Sequence, residues 1–247
     1  MASWSARTAS GTVDLWLIPP SLLAGEQAVH ASLDASERSR VMGYGDPDKA
    51  AWYARKQTAL RRILGAYLGC RPAEVRFSHG LRGKPAIAGD ARLAFNASHS
   101  HGHTVIAVTG DGPVGIDIEY IRTRPRDGLA LSLLGLAAAS KYIALAAPER
   151  SRAFSYAWSE REALGKLLGL GIGDGWAPIR TAFIASDLFM PQNTVAHRNV
   201  GGYAFHYLDI LPSFSLVICS ARAYSSIRVN CLHDLSTVSV LHEWRGV

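Results

Sequence analysis

Two short stretches carry most of the chemistry this sequence can do. In VGIDIE, Val114 to Glu119, the β-formers Val114, Ile116 and Ile118 alternate with Gly115, Asp117 and Glu119, so a strand here projects both carboxylates from one face. Two acids at that spacing can share a metal ion. A hard cation such as Mg²⁺ takes few protein carboxylates and fills its octahedron with water and phosphate oxygens, so one further acid suffices. Glu162, within WSEREALGK from Trp158 to Lys166, is the candidate third ligand. On a helix Trp158, Glu162 and Lys166 form an i, i+4, i+8 row, which sets an ammonium on the same face as the acid. Each stretch also has a plainer reading. Asp117 and Glu119 fit the solvated face of an edge strand, and Glu162 with Lys166 fits a surface pair contributing roughly a few tenths of a kcal/mol. Asp is poorly suited to strand interiors, however. Glu160 and Arg161 also fall among Ala157, Leu164, Leu167 and Leu168, the pattern of a helix held between two surfaces.

The segment before the acids, FNASHSHGH from Phe95 to His103, adds three imidazoles. His99, His101 and His103 lie two apart, and on one strand face they could bind zinc and support hydrolysis. Ser98, Ser100 and Gly102 make the segment more loop than strand, which weighs against that reading. By itself His99 reads equally as a core histidine bonded to backbone, and Asn96 as a turn-stabilising side chain. GKP, Gly83 to Pro85, places a backbone donor and an ammonium where an anion could sit, but the tripeptide is common.

Taken together, GKP, FNASHS, VGIDIE and WSEREALGK resemble, in order and spacing, the motifs of the surfactin-type 4′-phosphopantetheinyl transferases, and flanking elements extend the likeness from about Leu15 to Ala221. The resemblance implies a pseudo-dimeric fold. It implies an enzyme that moves the 4′-phosphopantetheine arm of coenzyme A onto a serine of an apo acyl or peptidyl carrier protein, with Mg²⁺, releasing 3′,5′-ADP. It also implies roles for residues: Asp117, Glu119 and Glu162 as metal ligands, Lys166 at the pyrophosphate and leaving group, and Lys84, Ser98, His99 and Arg40 at the cofactor phosphates. Arg40 enters by aligning SERSRV with the family's first-helix basic segment. Three positions depart from the pattern. Arg161 replaces a usual lysine, which changes geometry at constant charge. No acid follows in Ala139 to Tyr142, which leaves Glu162 or a metal-bound water as the base. A family basic residue falls near Trp52, with Lys49 or Arg55 as possible substitutes.

Composition sets the bounds. The chain has 247 residues, 48% of them hydrophobic, a net charge of +6 and three cysteines in no CxxC spacing. It can bury one large core or two small ones, and its odd thiols suit a reducing compartment. MASWSARTAS has no apolar run behind a basic cluster, which predicts no signal peptide and a cytoplasmic protein, expected to be a monomer. The apolar stretch from Leu129 to Ala147 is too interrupted for a membrane span. Positive charge favours an anionic partner. Nucleic acid is the competing binding-module reading, but no nucleic-acid fold signature is present. A catalytically inactive carrier-protein binder is the other.

The elements that must hold these residues fall into two similar runs. A strand at Thr12–Leu17 is followed by helices from Asp34 to about Gly43 and from Asp46 to Leu68, then strands at Val75–Phe77, Leu93–Phe95 and Thr104–Val108. After the GDGP turn, a strand at Val114–Ile118 leads to helices within Asp127–Ala146 and Arg150–Leu168, then strands at Ile179–Ile184, Tyr203–Leu208 and Phe214–Ser220. Asp187 to Gly202 reads as loop. Two apolar alternations close the chain, Ile227–Leu232 and Val238–Trp244, without a clear role. The pattern predicts an α+β protein of two similar halves, residues 1–112 on the coenzyme A phosphate side and 113–247 on the metal and catalytic side, with the site in the cleft between them.

Overall fold

The first strand, β1 (Thr12–Ile18), leads into α1 (Ala35–Met42), whose cap is reciprocal. Asp34 accepts from the Glu37 amide at 2.9 Å and Glu37 accepts from the Asp34 amide at 3.0 Å, so two orphan donors are satisfied at once. Helix α2 (Pro47–Leu68) starts on Asp46, which accepts from the amides of Asp48 and Lys49, and stops at Gly69 with φ 66°. That left-handed C′ position favours glycine. The hairpin β2 (Phe77–His79) and β3 (Pro85–Ile87) precedes β4 (Ala94–Ser100) and β5 (His103–Thr109). The second half begins with β6 (Val114–Tyr120), runs through α3 (Asp127–Leu133), α4 (Leu136–Ile143) and α5 (Ala147–Leu168), and returns in β7 (Val195–Val200), β8 (Tyr203–Leu208) and β9 (Phe214–Ser220). Strands β10 (Ser226–Leu232) and β11 (Val238–Arg245) close the chain. This computed structural model describes residues 8–23, 30–89, 92–134, 136–170, 191, 194–232 and 238–245.

Two sheets carry the halves, in the orders β11-β10-β1-β5-β4 and β6-β9-β8-β7. The runs β1-β5-β4 and β6-β9-β8 have the same antiparallel pattern, so each half is one strand beside a later hairpin. The inner faces pack on one another. Val13, Leu15, Leu17, Val105 and Ala107 from the first sheet share a core with Val114, Ile116, Ile118, Leu216 and Ile218 from the second. On its outer face the first sheet meets α2 through Trp16, Ile18, Ile106 and Val108 against Leu60, Ile63 and Leu64. The second sheet meets α5 through Phe205, Tyr207, Val217 and Cys219 against Tyr156, Leu164 and Leu167. The result is a four-layer stack of helix, sheet, sheet and helix, an α+β fold built twice.

Several local expectations are corrected. FNASHS is strand to Ser100, because its side chains find partners across the seam described below. Two helices, α3 and α4, occupy the region read as one. The loop expected over Asp187 to Gly202 contains β7, and the strand expected at Val75–Phe77 lies at Phe77–His79. The strand expected at Ile179–Ile184 lies outside the described residues. The boundary at 112/113 puts the tail with the second half, yet β10 pairs in parallel with β1, from Thr12 with Ser226 to Leu17 with Cys231, and β11 pairs with β10. Arg228 fastens that junction by donating to both oxygens of buried Asp14, at 2.6 and 2.8 Å, while the Tyr67 hydroxyl donates to the same carboxylate at 2.6 Å. Burying Asp14 is tolerable only with such partners. No helix among the described residues is long and apolar enough to cross a membrane.

Candidate active site

The site lies where β6, an edge strand of the second sheet, runs beside β4, an edge strand of the first. Their main chains do not form a ladder. Instead β4 spans the gap with alternate side chains: Asn96 Oδ1 accepts from the Ile116 amide at 2.9 Å, and Ser100 Oγ accepts from the Tyr120 amide at 3.1 Å. Period-two alternation puts Asn96, Ser98 and Ser100 on the seam, with Phe95, Ala97 and His99 on the opposite face. Asn96 is therefore a bridge between sheets rather than a turn residue.

On β6 the same alternation sends Val114, Ile116 and Ile118 into the core and turns Gly115, Asp117 and Glu119 toward α5. The approach is close. A Cβ at Gly115 would stand 1.9 Å from the Ala163 carbonyl oxygen and 2.7 Å from the Leu167 amide nitrogen, so only glycine admits the helix here. That contact brings the Glu162 and Lys166 face of α5 over the two strand acids. Asp117 is 3% exposed. Its Oδ1 receives the Lys166 ammonium at 2.6 Å and the Ser98 hydroxyl at 2.9 Å, and Lys166 also donates to Ser98 at 2.8 Å. Its Oδ2 is buried without any partner. The Ser100 hydroxyl donates to Glu119 at 3.3 Å.

Burial raises the pKa of Glu119, and the Asp117 charge raises it further. Burial likewise raises that of Glu162, helped by Asp117 and Glu119 and opposed by Lys166. Three acids that repel one another around an orphaned carboxylate oxygen fit a hard divalent cation. They are not a finished cage, since no group of three metal-ligating side chains stands ready among the described residues. Lys166 holds Asp117 as the resident cation.

On the other side of Ser98 a cavity of about 550 Å³ opens between α1, α2, β2 and β4. Arg40, Lys56, His79, Ser98 and His99 line it with the backbone of Gly83. His99 meets the Trp52 ring edge-on, with centroids 4.7 Å apart, and the Lys56 ammonium lies 4.7 Å from that ring's centroid on its own account. Desolvation, with Arg40 adding repulsion, lowers the Lys56 pKa to about 8. Desolvation and the charges of Lys56 and Lys166 lower that of His99 to about 4. A cluster of cationic groups that suppress one another's charge is suited to receiving an anion.

A family description, the 4′-phosphopantetheinyl transferase superfamily, matches residues 113–218. The chain is also 32% identical over 168 residues to the 4′-phosphopantetheinyl transferase HetI of Nostoc sp., covering 66% of this chain and 71% of that protein. The chain belongs to the 4′-phosphopantetheinyl transferase superfamily. It is 30% identical over 178 residues to the transferase psf-1 of Bacillus pumilus, covering 71% of this chain and 73% of that one. Over 121 residues it is 37% identical to the L-aminoadipate-semialdehyde dehydrogenase-phosphopantetheinyl transferase of Eremothecium gossypii, covering 46% and 44%.

Within this transferase, then, Asp117, Glu119, Glu162, Lys166 and Ser98 come together, and Arg40 and His99 share the adjoining cavity. Lys84 does not join them. Its ammonium donates to the carbonyls of Val114 at 3.2 Å and Leu167 at 3.3 Å, where it ties the start of β6 to the end of α5. The zinc reading fails, because no group of three metal-ligating side chains, these imidazoles included, is assembled among the described residues. His99 packs on Trp52, His101 stacks on Tyr120 with centroids 4.2 Å apart, and His103 packs on Phe214 at 4.6 Å.

Arg161 points away from the acids, donating to the Ala157 carbonyl at 3.0 Å and the Leu133 carbonyl at 2.7 Å. Arg61, one of the basic residues upstream of the motifs, is wholly buried and bonds Glu37 at 2.7 Å and Asp34 at 2.5 Å, so it braces α1 on α2 and thereby positions Arg40. Neither Lys49 nor Arg55 lines the cavity. The residue missed is Lys56. Its signal was present in the sequence, since it lies one turn beyond Trp52 and so on the same helical face.

Proposed function

We propose that this chain is a surfactin-type enzyme that transfers the 4′-phosphopantetheine arm of coenzyme A to a serine of an apo acyl or peptidyl carrier protein, releasing 3′,5′-ADP. The observation that carries the reading is the placement of Asp117. Its carboxylate has Lys166 at one oxygen and nothing at the other, one serine away from a cavity lined by cations. Arg40, Lys56 and His99 would hold the 3′-phosphate, a group with up to two charges and several acceptor oxygens. Lys166 would leave Asp117 for the pyrophosphate and steady the departing oxyanion. Asp117, Glu119 and Glu162 would hold Mg²⁺, which supplies charge neutralisation at phosphate oxygens.

As the carrier serine oxygen bonds to the β-phosphorus, the bond from that phosphorus to the bridging oxygen of 3′,5′-ADP breaks. Glu162, whose pKa burial raises, or a water on the metal would accept the serine proton. Positioning and electrostatics suffice for such a transfer. On this reading the enzyme would act in the cytoplasm, as a monomer. Mass spectrometry of an apo carrier protein incubated with the chain, coenzyme A and Mg²⁺ tests the proposal. A gain of one phosphopantetheine arm is expected. Carrier binding without that gain would favour an inactive binder, and no metal-dependent change of any kind would remove the proposal.

A further inference from the structure

Helix α5 meets its sheet through Tyr156, Ala163, Leu164 and Leu167, which join the apolar core. Glu160 lies in the same helical stripe, one turn after Tyr156 and one before Ala163 and Leu164. It is 2% exposed. One of its oxygens, Oε1, accepts from Arg198 Nη2 at 2.6 Å and from the Tyr207 hydroxyl, and Arg198 Nε donates to that hydroxyl at 2.6 Å. The three side chains close a triangle in the interior. A carboxylate in an apolar stripe is tolerable only with partners of this kind. It is not the most stable choice, since apolar side chains of similar volume in place of a buried ion pair are often neutral or stabilising. What the pair adds is direction. Apolar packing between helix and sheet is non-directional, whereas charge-assisted bonds converging on one oxygen hold a single geometry.

From this we infer that Glu160 is a positioning residue for the transfer: through Arg198 and Tyr207 it fixes the rotation of α5 about its own axis, and so the placement of Glu162 and Lys166 over Asp117. The inference rests on the transferase reading above. Glu162 stands about 200° around the helix from Glu160, so a turn of α5 that broke the triangle would carry Glu162 and Lys166 across the seam. The sheet runs β6-β9-β8-β7, with Asp117 on β6 at one edge and Tyr207 and Arg198 on β8 and β7 toward the other. Helix α5 is thus gripped at both sides of the sheet, by the Gly115 contact beside the site and by the triangle away from it. Other polar ties are weaker or lie at its ends. Lys84 reaches the Leu167 carbonyl in the last turn, and Arg152 meets Asp209 at 2.9 Å on the surface near the start, where water screens the pair. Ser159 bonds Ser215 at 2.9 Å beside the triangle, without charge.

The test is steady-state kinetics with an apo carrier protein, coenzyme A and Mg²⁺, run well below the Tm of each variant. Glu160→Leu combined with Arg198→Met replaces the pair by apolar side chains, so Tm should be held or raised. Turnover should nevertheless fall at least about tenfold, the scale on which misplaced catalytic groups are felt, while the KM for coenzyme A stays within about twofold, because the cofactor cavity belongs to the other half. Tyr207→Phe removes one bond of the triangle and keeps the ion pair, so it should lower kcat by about threefold, and it serves as the test if the double variant does not fold. A triangle that is structural only would move Tm and leave kcat unchanged. That result, or a loss that falls on the coenzyme A KM instead of on kcat, overturns the inference. Failure of the unaltered protein to modify the carrier would sink the transferase reading itself, so the two failures are told apart.

Discussion

Helices α2 and α5 are the same object used twice. Each has 22 residues, begins with proline in its first turn, ends at a glycine in the left-handed region and covers the outer face of a sheet. They differ in what they carry to the seam. From α2 come Trp52 and Lys56, facing a roomy cavity. From α5 come Glu162 and Lys166, pressed on a strand that had to be glycine at 115. The strands beneath differ in the same sense. The outer edge of β1 is taken by β10, whereas β6 meets β4 only through side chains. Duplicated scaffolds thus yield one site rather than two, because β6, unlike its counterpart β1, keeps a strand edge available for chemistry.

If that division is right, damage at α5 and β6 should abolish turnover and damage at α2 should weaken cofactor binding. The largest effect is expected from Asp117→Ala and Glu162→Ala, each losing at least about 100-fold in kcat, the scale of a lost transition-state charge stabiliser. Near-normal turnover in either would break the comparison at its stronger end. Lys166→Ala should likewise lower kcat more than it raises the coenzyme A KM. A pure KM effect would make Lys166 a ground-state anchor like the α2 cations.

Gly115→Ala should destabilise the fold by about 1–3 kcal/mol, as overpacking does. Thermal unfolding would show it, and an unchanged Tm would mean that α5 does not need its close approach to β6.

A smaller change belongs to Lys56→Met. It should weaken use of coenzyme A by about 1.5 kcal/mol, the loss of one charge-assisted bond, and leave dephospho-coenzyme A nearly untouched. The pH dependence has a defined sign. With its pKa lowered to about 8, free Lys56 is charged below that pH and neutral above it. Coenzyme A affinity should therefore fall as pH rises through about 8, with uptake of a proton on binding, and calorimetry in buffers of different ionisation enthalpy would measure it. Lys56→Met should flatten the profile.

The smallest effect is expected from Lys84→Met. Losing its two bonds to carbonyls should cost about 1 kcal/mol of stability, without changing the ratio of specificity constants for coenzyme A and dephospho-coenzyme A. A collapse of that ratio would return Lys84 to the phosphate and displace Lys56.

Local chemistry was legible in the residues themselves. The Asp34 and Glu37 cap, the Asp46-Pro47 start and the Gly69 stop each depend on groups within a few residues, so they could be read without any tertiary contact. The shared face of Asp117 and Glu119, and the row from Trp158 to Lys166, follow from the periods of strand and helix. Even the repeated succession of a strand, then helices, then strands was visible as pattern, though not the number of helices in the second half.

What only the tertiary structure decided is which neighbours those faces meet. Lys84 and Lys56 are both lysines among basic and apolar residues. One lands on carbonyl oxygens and the other in an open cavity, because hairpin and helix carry them to different places. The tail's alternations fitted a strand of either half, and the open edge of β1, with Asp14 waiting for Arg228, assigned them to the first sheet. His99, His101 and His103 share a spacing, but a turn at His101, with φ 48°, leaves His99 on Trp52 and puts His101 and His103 on the Tyr120 and Phe214 rings. Sequence separation determines period and capping, while burial and partner depend on surfaces brought together from distant parts of the chain.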